Sequence, residues 1–111
     1  MKSLYPPKLQ KAVDALLNNP AVSTPTLRRA VEAHAARLSG GVRESEEIPA
    51  DLTAYVDKVT LHAYRVTDQD VEDLKGAGYS EDAIFEITLC ASLGASLARF
   101  ERGLQALKGS E

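Results

Sequence analysis

The sequence predicts an all-α fold of about five helices. Three observations carry this. Apolar residues recur at spacings of three and four rather than two, Ala and Leu dominate, and each apolar stretch is bracketed by residues that start or stop helices. No stretch reads as a convincing strand, and there is no internal repeat or low-complexity segment. The 111 residues amount to one domain. Within it, residues 1–41 read as an N-terminal helical pair and 49–108 as the larger helical core.

Pro6 and Pro7 suit the first turn of helix one. Leu9, Val13, Leu16 and Leu17 give it a short apolar face, and Asn18-Asn19-Pro20 stops it, because a residue before proline avoids the helical region. Helix two starts at Thr24 as N-cap with Pro25 at N1. Its expected face is Leu27, Val31, His34 and Leu38, and Gly40-Gly41 closes it. Residues 42–48 read as an exposed acidic connection. Pro49 opens helix three, in which Leu52, Val56, Val59 and Ala63 follow helical spacing, with Tyr55 and His62 on an adjoining face and an expected end near Val66. Thr67 then caps a short helix, with Asp70 in the capping-box place and Val66 and Val71 as a staple. Gly76 and Gly78 end it.

The last helix, Ser80 to Leu107, organises the chain. Ser80 is its N-cap, Glu81 and Asp82 favour the positive end of the helix dipole, and Tyr79 and Ile84 form a staple. Leu93, Leu97, Phe100, Leu104 and Leu107 predict one apolar face. Between Glu86 and Arg99 the run ITLCASLGASLA carries no charge over twelve residues. Ala91, Gly94, Ala95 and Ala98 would admit other helices closely. The first half of this helix is therefore expected to be buried on nearly all sides, with neighbouring subunits contributing.

Net charge is −3, unevenly placed. Through Arg43 there are seven Lys/Arg against two Asp/Glu; from Glu44 onward, six against fourteen. The expectation is mutual attraction between the two parts, within or between chains. A nucleic-acid surface is disfavoured, because the basic part has no dense cluster and only one aromatic, Tyr5. DVEDLKGAGYSEDAIFEI has the spacing of a helix-turn-helix, but its would-be recognition helix opens with Glu81, Asp82 and Glu86, which phosphates would repel. No apolar run approaches the ~20 residues of a membrane span, and MKSLYPPKLQ lacks the apolar core of a signal peptide. A cytoplasmic location is the default expectation.

The single cysteine, Cys90, excludes an intrachain disulfide and a cysteine-based zinc cluster. It lies mid-helix among apolar neighbours, with nothing nearby in sequence to lower its pKa, so it reads as a buried core thiol. His62 has Asp57 five residues before it, and Tyr64 and Arg65 just after. It reads either as a general base or proton relay, or as a partly buried helix residue bonded to a neighbour. His34 reads as structural. The acidic run Asp68, Asp70, Glu72 and Asp73 reads as helix-start carboxylates rather than a metal loop. No metal or cofactor is expected.

The run from Tyr55 to Leu107, and above all AGYSEDAIFEI followed by a small-residue helix and ARFERGL, resembles the core of the carboxymuconolactone decarboxylase and alkylhydroperoxidase D-like family. The likeness covers about half the chain. It implies an all-helical fold that assembles into trimers or hexamers. The peroxidase branch carries C-x-x-C-x-x-x-H before the Ala-Gly turn, and counted back from Ala77-Gly78 those places fall on Ala63, Val66 and Asp70. Neither thiol is present, so a dithiol relay through a sulfenic acid has no residues to run on. The decarboxylase branch uses no cysteines. Its usual catalytic histidine has no counterpart here, His62 being offset from the pattern.

The leading expectation is thus a degenerate member of this family: a homo-oligomeric binding or accessory module without thiol peroxidase activity. Its pocket would lie between helix three, the short helix and the long helix, around His62, Tyr64, Asp70 and Cys90. The alternative is a cysteine-independent enzyme, a decarboxylase or lyase, acting on a small molecule with His62 as acid/base and Tyr64 as polar partner. A one-cysteine peroxidase using Cys90 comes third, and a DNA-binding module last.

Overall fold

A computed structural model describes residues 5–44 and 47–109. Among them are five α-helices and no strand: α1 (Pro7–Asn18), α2 (Pro25–Leu38), α3 (Ala50–Leu61), α4 (Asp68–Gly76) and α5 (Glu81–Gly109). The class is all-α, as the sequence predicts. Ser45 and Glu46, part of the expected acidic connection, lie outside the described residues.

The starts and stops are made by the residues that announce them. The Thr24 hydroxyl accepts from Leu27 N–H at 3.1 Å with Pro25 in the first turn. Thr67 and Asp70 form both halves of a capping box, and Ser80 Oγ accepts from Ala83 N–H at 3.1 Å. Asn19 before Pro20 is extended (ψ 151°), which ends α1. Gly40 and Gly78 take φ of +88° and +105°, the left-handed region that closes helices cheaply only with glycine.

The centre of the fold is the pair α2 and α5. At Gly94 the two backbones nearly touch. A Cβ there would overlap the Glu32 carbonyl oxygen and lie 3.0 Å from Ala36 N and 3.1 Å from Ala35 Cβ. Around this crossing, α2 buries Arg28, Ala30, Val31, Glu32, Ala33, Ala35 and Ala36. α5 buries a run from Ala83 to Ala98 that includes Ile84, Ile87, Cys90 and Leu97. α3 lays Leu52, Tyr55, Val56 and Val59 against the pair, and Leu74 of α4 closes the core. The Tyr55 hydroxyl meets Thr88 Oγ1 at 2.7 Å, and Thr88 in turn donates to Ile84 O. Glu86 of α5 accepts from the N–H groups of Val22 (3.1 Å) and Ser23 (2.7 Å) and fixes the turn into α2.

Three expectations are corrected. Helix three ends at Leu61, not near Val66. His62 leaves the helical region (φ −143°, ψ 50°) and a 3-10 turn, Ala63–Arg65, follows. The cause is the next helix, whose capping box needs Thr67 extended, so the chain must uncoil before it. On α2 Val31 is fully buried and Leu27 packs against the core as expected, but Leu38 is exposed, and the alanines make much of the buried surface because only small side chains allow α5 so close. The Leu93–Leu107 stripe of α5 is buried only at Leu97; Phe100 and Leu107 are exposed where the helix runs past the body. The first half of α5, which the sequence expects neighbouring subunits to help bury, keeps an open face in the single chain: Phe85, Leu89, Ser92 and Ser96 are exposed. By length and composition α5 is long and apolar enough to cross a membrane, although half of its most apolar window is buried inside the protein, as core helices also show.

Candidate functional site

The residues singled out from the sequence lie in two separate places. His62 is exposed at the end of α3, its ring edge-on to Tyr64 with centroids 6.1 Å apart. Tyr64 is exposed too. His62, but not Tyr64, borders a surface hollow lined by Ala54, Asp57, Lys58, Leu61, His62 and Arg65, all from one helix end. Asp70 is committed to structure. It takes the Lys58 ammonium at 2.9 and 3.0 Å and accepts from Thr67 N–H at 2.8 Å. The Lys58 contact, followed by the Thr67 bonds, holds its carboxyl below the ordinary value. His34 bonds Asp57 at 2.7 Å and ties α2 to α3.

Cys90 is not part of this cluster. It is wholly enclosed among the core residues, and burial pushes its thiol up to about 11 despite the opposing charge of Arg28. A thiolate is the reactive form. The native protein should therefore react with a thiol reagent such as dithiobis(nitrobenzoate) on the order of 100-fold more slowly at pH 8 than the unfolded chain. Comparing stopped-flow traces with and without guanidinium checks this. Fast, stoichiometric native labelling would contradict it.

A second cavity lies elsewhere, between α1, the turn after α2 and α5. It has about 470 Å³, within the usual range for small-molecule sites. Val13, Leu17, Val42 and Leu97 give it apolar walls. Its polar side is a network around Arg43. The guanidinium donates to both Glu32 oxygens (3.0–3.2 Å) and to both Glu101 oxygens (3.0 Å). The Tyr5 hydroxyl donates to Glu101, and the Tyr5 ring packs on Phe100 with centroids 5.8 Å apart. Glu32 is only 5% exposed. Burial would raise the Glu101 carboxyl, but hydrogen bonds from Arg43 and Tyr5 outweigh it and hold it low. Burial, then Glu101, pushes the Tyr5 phenol up to about 12. One cation thus sits between two carboxyl groups.

The local fold explains how Arg43 gets there. Gly40 supplies a left-handed residue, and Gly41 passes so close to α5 that a Cβ would lie 2.8 Å from Ala98 Cβ. The chain therefore reverses tightly after α2 and returns Arg43 toward Glu32. Arg102 covers Gly40 at the cavity's edge. The sequence signals only the turn and the charge contrast between the two parts of the chain. Arg43 and Glu101 stand 58 positions apart, and no spacing rule joins them. Among the described residues no three of His, Cys, Asp and Glu gather as a metal site. No family model, curated protein or solved structure matches this chain.

Proposed function

We propose that the chain is a small-molecule-binding or accessory protein, a homo-oligomeric, non-dithiol relative of the carboxymuconolactone decarboxylase-like family that does no thiol peroxidase chemistry. The observation that carries the reading is the cavity of about 470 Å³ with apolar walls and an Arg43–Glu32–Glu101 side in which Glu32 is buried and the other two half-buried. That combination suits an amphipathic molecule with an apolar body and a polar end. Two facts favour binding over thiol chemistry: Ala63 and Val66 stand where the resemblance calls for thiols, and Cys90 is enclosed.

The test uses Val42, which is 83% exposed on the cavity wall. The chain has no tryptophan, so Val42→Trp both narrows the cavity and reports on it. Anilinonaphthalene sulfonate should bind the wild type with enhanced fluorescence and bind Val42→Trp at least tenfold more weakly. In the variant, the tryptophan emission should respond to any ligand that still enters. Equal dye binding by both proteins, with no change in tryptophan emission, would remove the cavity as a binding site.

A further inference from the structure

We infer that the cavity between α1, the turn after α2 and α5 takes a cationic amphiphile, a primary ammonium on an apolar body, with the ammonium held at Glu32 and Glu101. The inference rests on the reading of this cavity as a small-molecule site and adds the chemical class of its ligand.

Arg43, the cation of the polar wall, has no donor left for a ligand. A guanidinium carries five N–H groups, and all five are occupied within the chain. Nε donates to Glu32, Nη1 to the Val42 carbonyl oxygen at 2.8 Å and to Glu101 at 3.0 Å, and Nη2 to Glu32 and to Glu101, each at 3.0 Å. The Tyr5 hydroxyl also donates to Glu101. A carboxylate or phosphate entering here would meet oxygens rather than hydrogens.

Acceptors remain on the same wall. Glu32 Oε1 accepts only from Nε, at 3.1 Å, and Glu101 Oε1 only from Nη1, at 3.0 Å. A carboxylate oxygen has two acceptor positions, so each keeps one. On the α1 side, the Asp14 carboxyl accepts only from Gln10, at 2.8 Å, among the described residues. The lining thus sets three carboxyl groups against two guanidiniums, those of Arg43 and Arg102. Arg102 is exposed and lies across Gly40 at the mouth, where water screens its charge, whereas Glu32 is buried.

The group that completes this wall must bring hydrogens and positive charge. An ammonium brings three donors and no acceptor, and its bonds to carboxylates are charge-assisted. Val13, Leu17, Val42 and Leu97 favour a hydrocarbon body behind it over a bare hydrated ion. An anionic dye can still enter by its rings with its sulfonate at the Arg102 mouth, so dye binding and preference for a cation are separate properties.

The experiment is isothermal titration calorimetry of the full chain at pH 7 with octylammonium, 1-octanol and octanoate, three probes of equal chain length. Octylammonium should bind roughly tenfold or more tightly than octanol, and octanoate more weakly than octanol. Glu101→Gln keeps the shape of the wall and removes an acid, and should bring the ammonium-to-alcohol ratio close to one. Asp14→Asn, at an exposed position of α1, should lower the ratio as well, and decides the matter if Glu101→Gln does not fold. Val42→Trp should weaken all three probes together. Octanol binding as tightly as octylammonium, or octanoate binding more tightly than either, would overturn the inference and leave the cavity standing as a binding site. A ratio unchanged in both acid variants, or octylammonium binding untouched by Val42→Trp, would put the ammonium elsewhere on the surface and overturn it equally. Binding of neither the three probes nor the dye would remove the cavity reading along with it.

Discussion

Replacing Gly94 with alanine is expected to lower the stability of the folded chain by about 3 kcal/mol. Alanine is the better helix former, by about 1 kcal/mol on an open helix. Here that gain is overrun, because the new methyl group would overlap the Glu32 carbonyl oxygen and crowd Ala36 N and Ala35 Cβ. The obstacle is mostly backbone, which cannot rotate away as a flexible side chain can. α2 and α5 must separate, and the contacts of Val31, Ala35, Cys90 and Ala91 between them loosen together. Overpacking of this kind costs typically about 1–3 kcal/mol and more where the backbone must move. For a chain of this size the midpoint of thermal unfolding should drop by roughly 10–20 °C. Gly76→Ala is the control. It also sits in a helix, but nothing lies within 4 Å of its Cβ position, so it should be neutral or gain a few tenths of a kcal/mol. Urea melts of the two variants measure the contrast; equal effects would mean that the helices do not cross so closely.

Arg43→Met should cost a similar amount for a different reason. It removes the one cation from between Glu32 and Glu101 and leaves a carboxylate that is 5% exposed without its partner. Breaking a buried pair from one side costs about 3–5 kcal/mol, mostly the desolvation of the charge left behind. Adding Glu32→Gln should recover about half or more, since the second change removes that charge. The pH dependence has a definite sign. In the wild type Glu101 is held low, so its contribution is present above the ordinary carboxylate range and fades as pH falls through the lowered value. In Arg43→Met the Arg43 hydrogen bonds no longer offset burial at Glu101, whose carboxyl rises from its lowered value, so the variant regains stability as that group protonates. The gap between wild type and variant should therefore narrow from pH 7 to pH 4. A gap that is constant with pH would show that Arg43 acts through packing alone.

The parts of the fold written in local chemistry were legible beforehand. Thr24-Pro25, the Thr67–Asp70 box, Ser80, and the glycines at 40 and 78 each act over three or four residues, and each does in the structure what its type suggests. What failed was assignment between competing partners. The small residues of α5 could have met another helix of this chain or of a neighbour; α2 takes Gly94, the turn after it takes Ala98, and the face with Phe85 and Ser92 stays open. The end of α3 was misplaced because apolar spacing ran on through Ala63, while the demands of the next capping box stopped the helix at Leu61. At the candidate site, His62, Tyr64 and Asp70 drew notice as polar residues near one another in sequence. Arg43, Glu32 and Glu101 meet only through the packing of α5 on α2 and the turn after it, and that packing rests on alanines and glycines whose pattern names no partner.

The measurement that bears most directly on the central claim is hydroperoxide consumption with a dithiol reductant. Wild type and Cys90→Ala would be compared beside a known dithiol peroxidase. With Cys90 enclosed and its thiol pushed up to about 11, neither form of this chain should turn over peroxide above the rate without protein, while the control enzyme does. Turnover by the wild type that vanishes in Cys90→Ala would contradict the account, because it would require the buried cysteine to reach, attack and be regenerated from a peroxide.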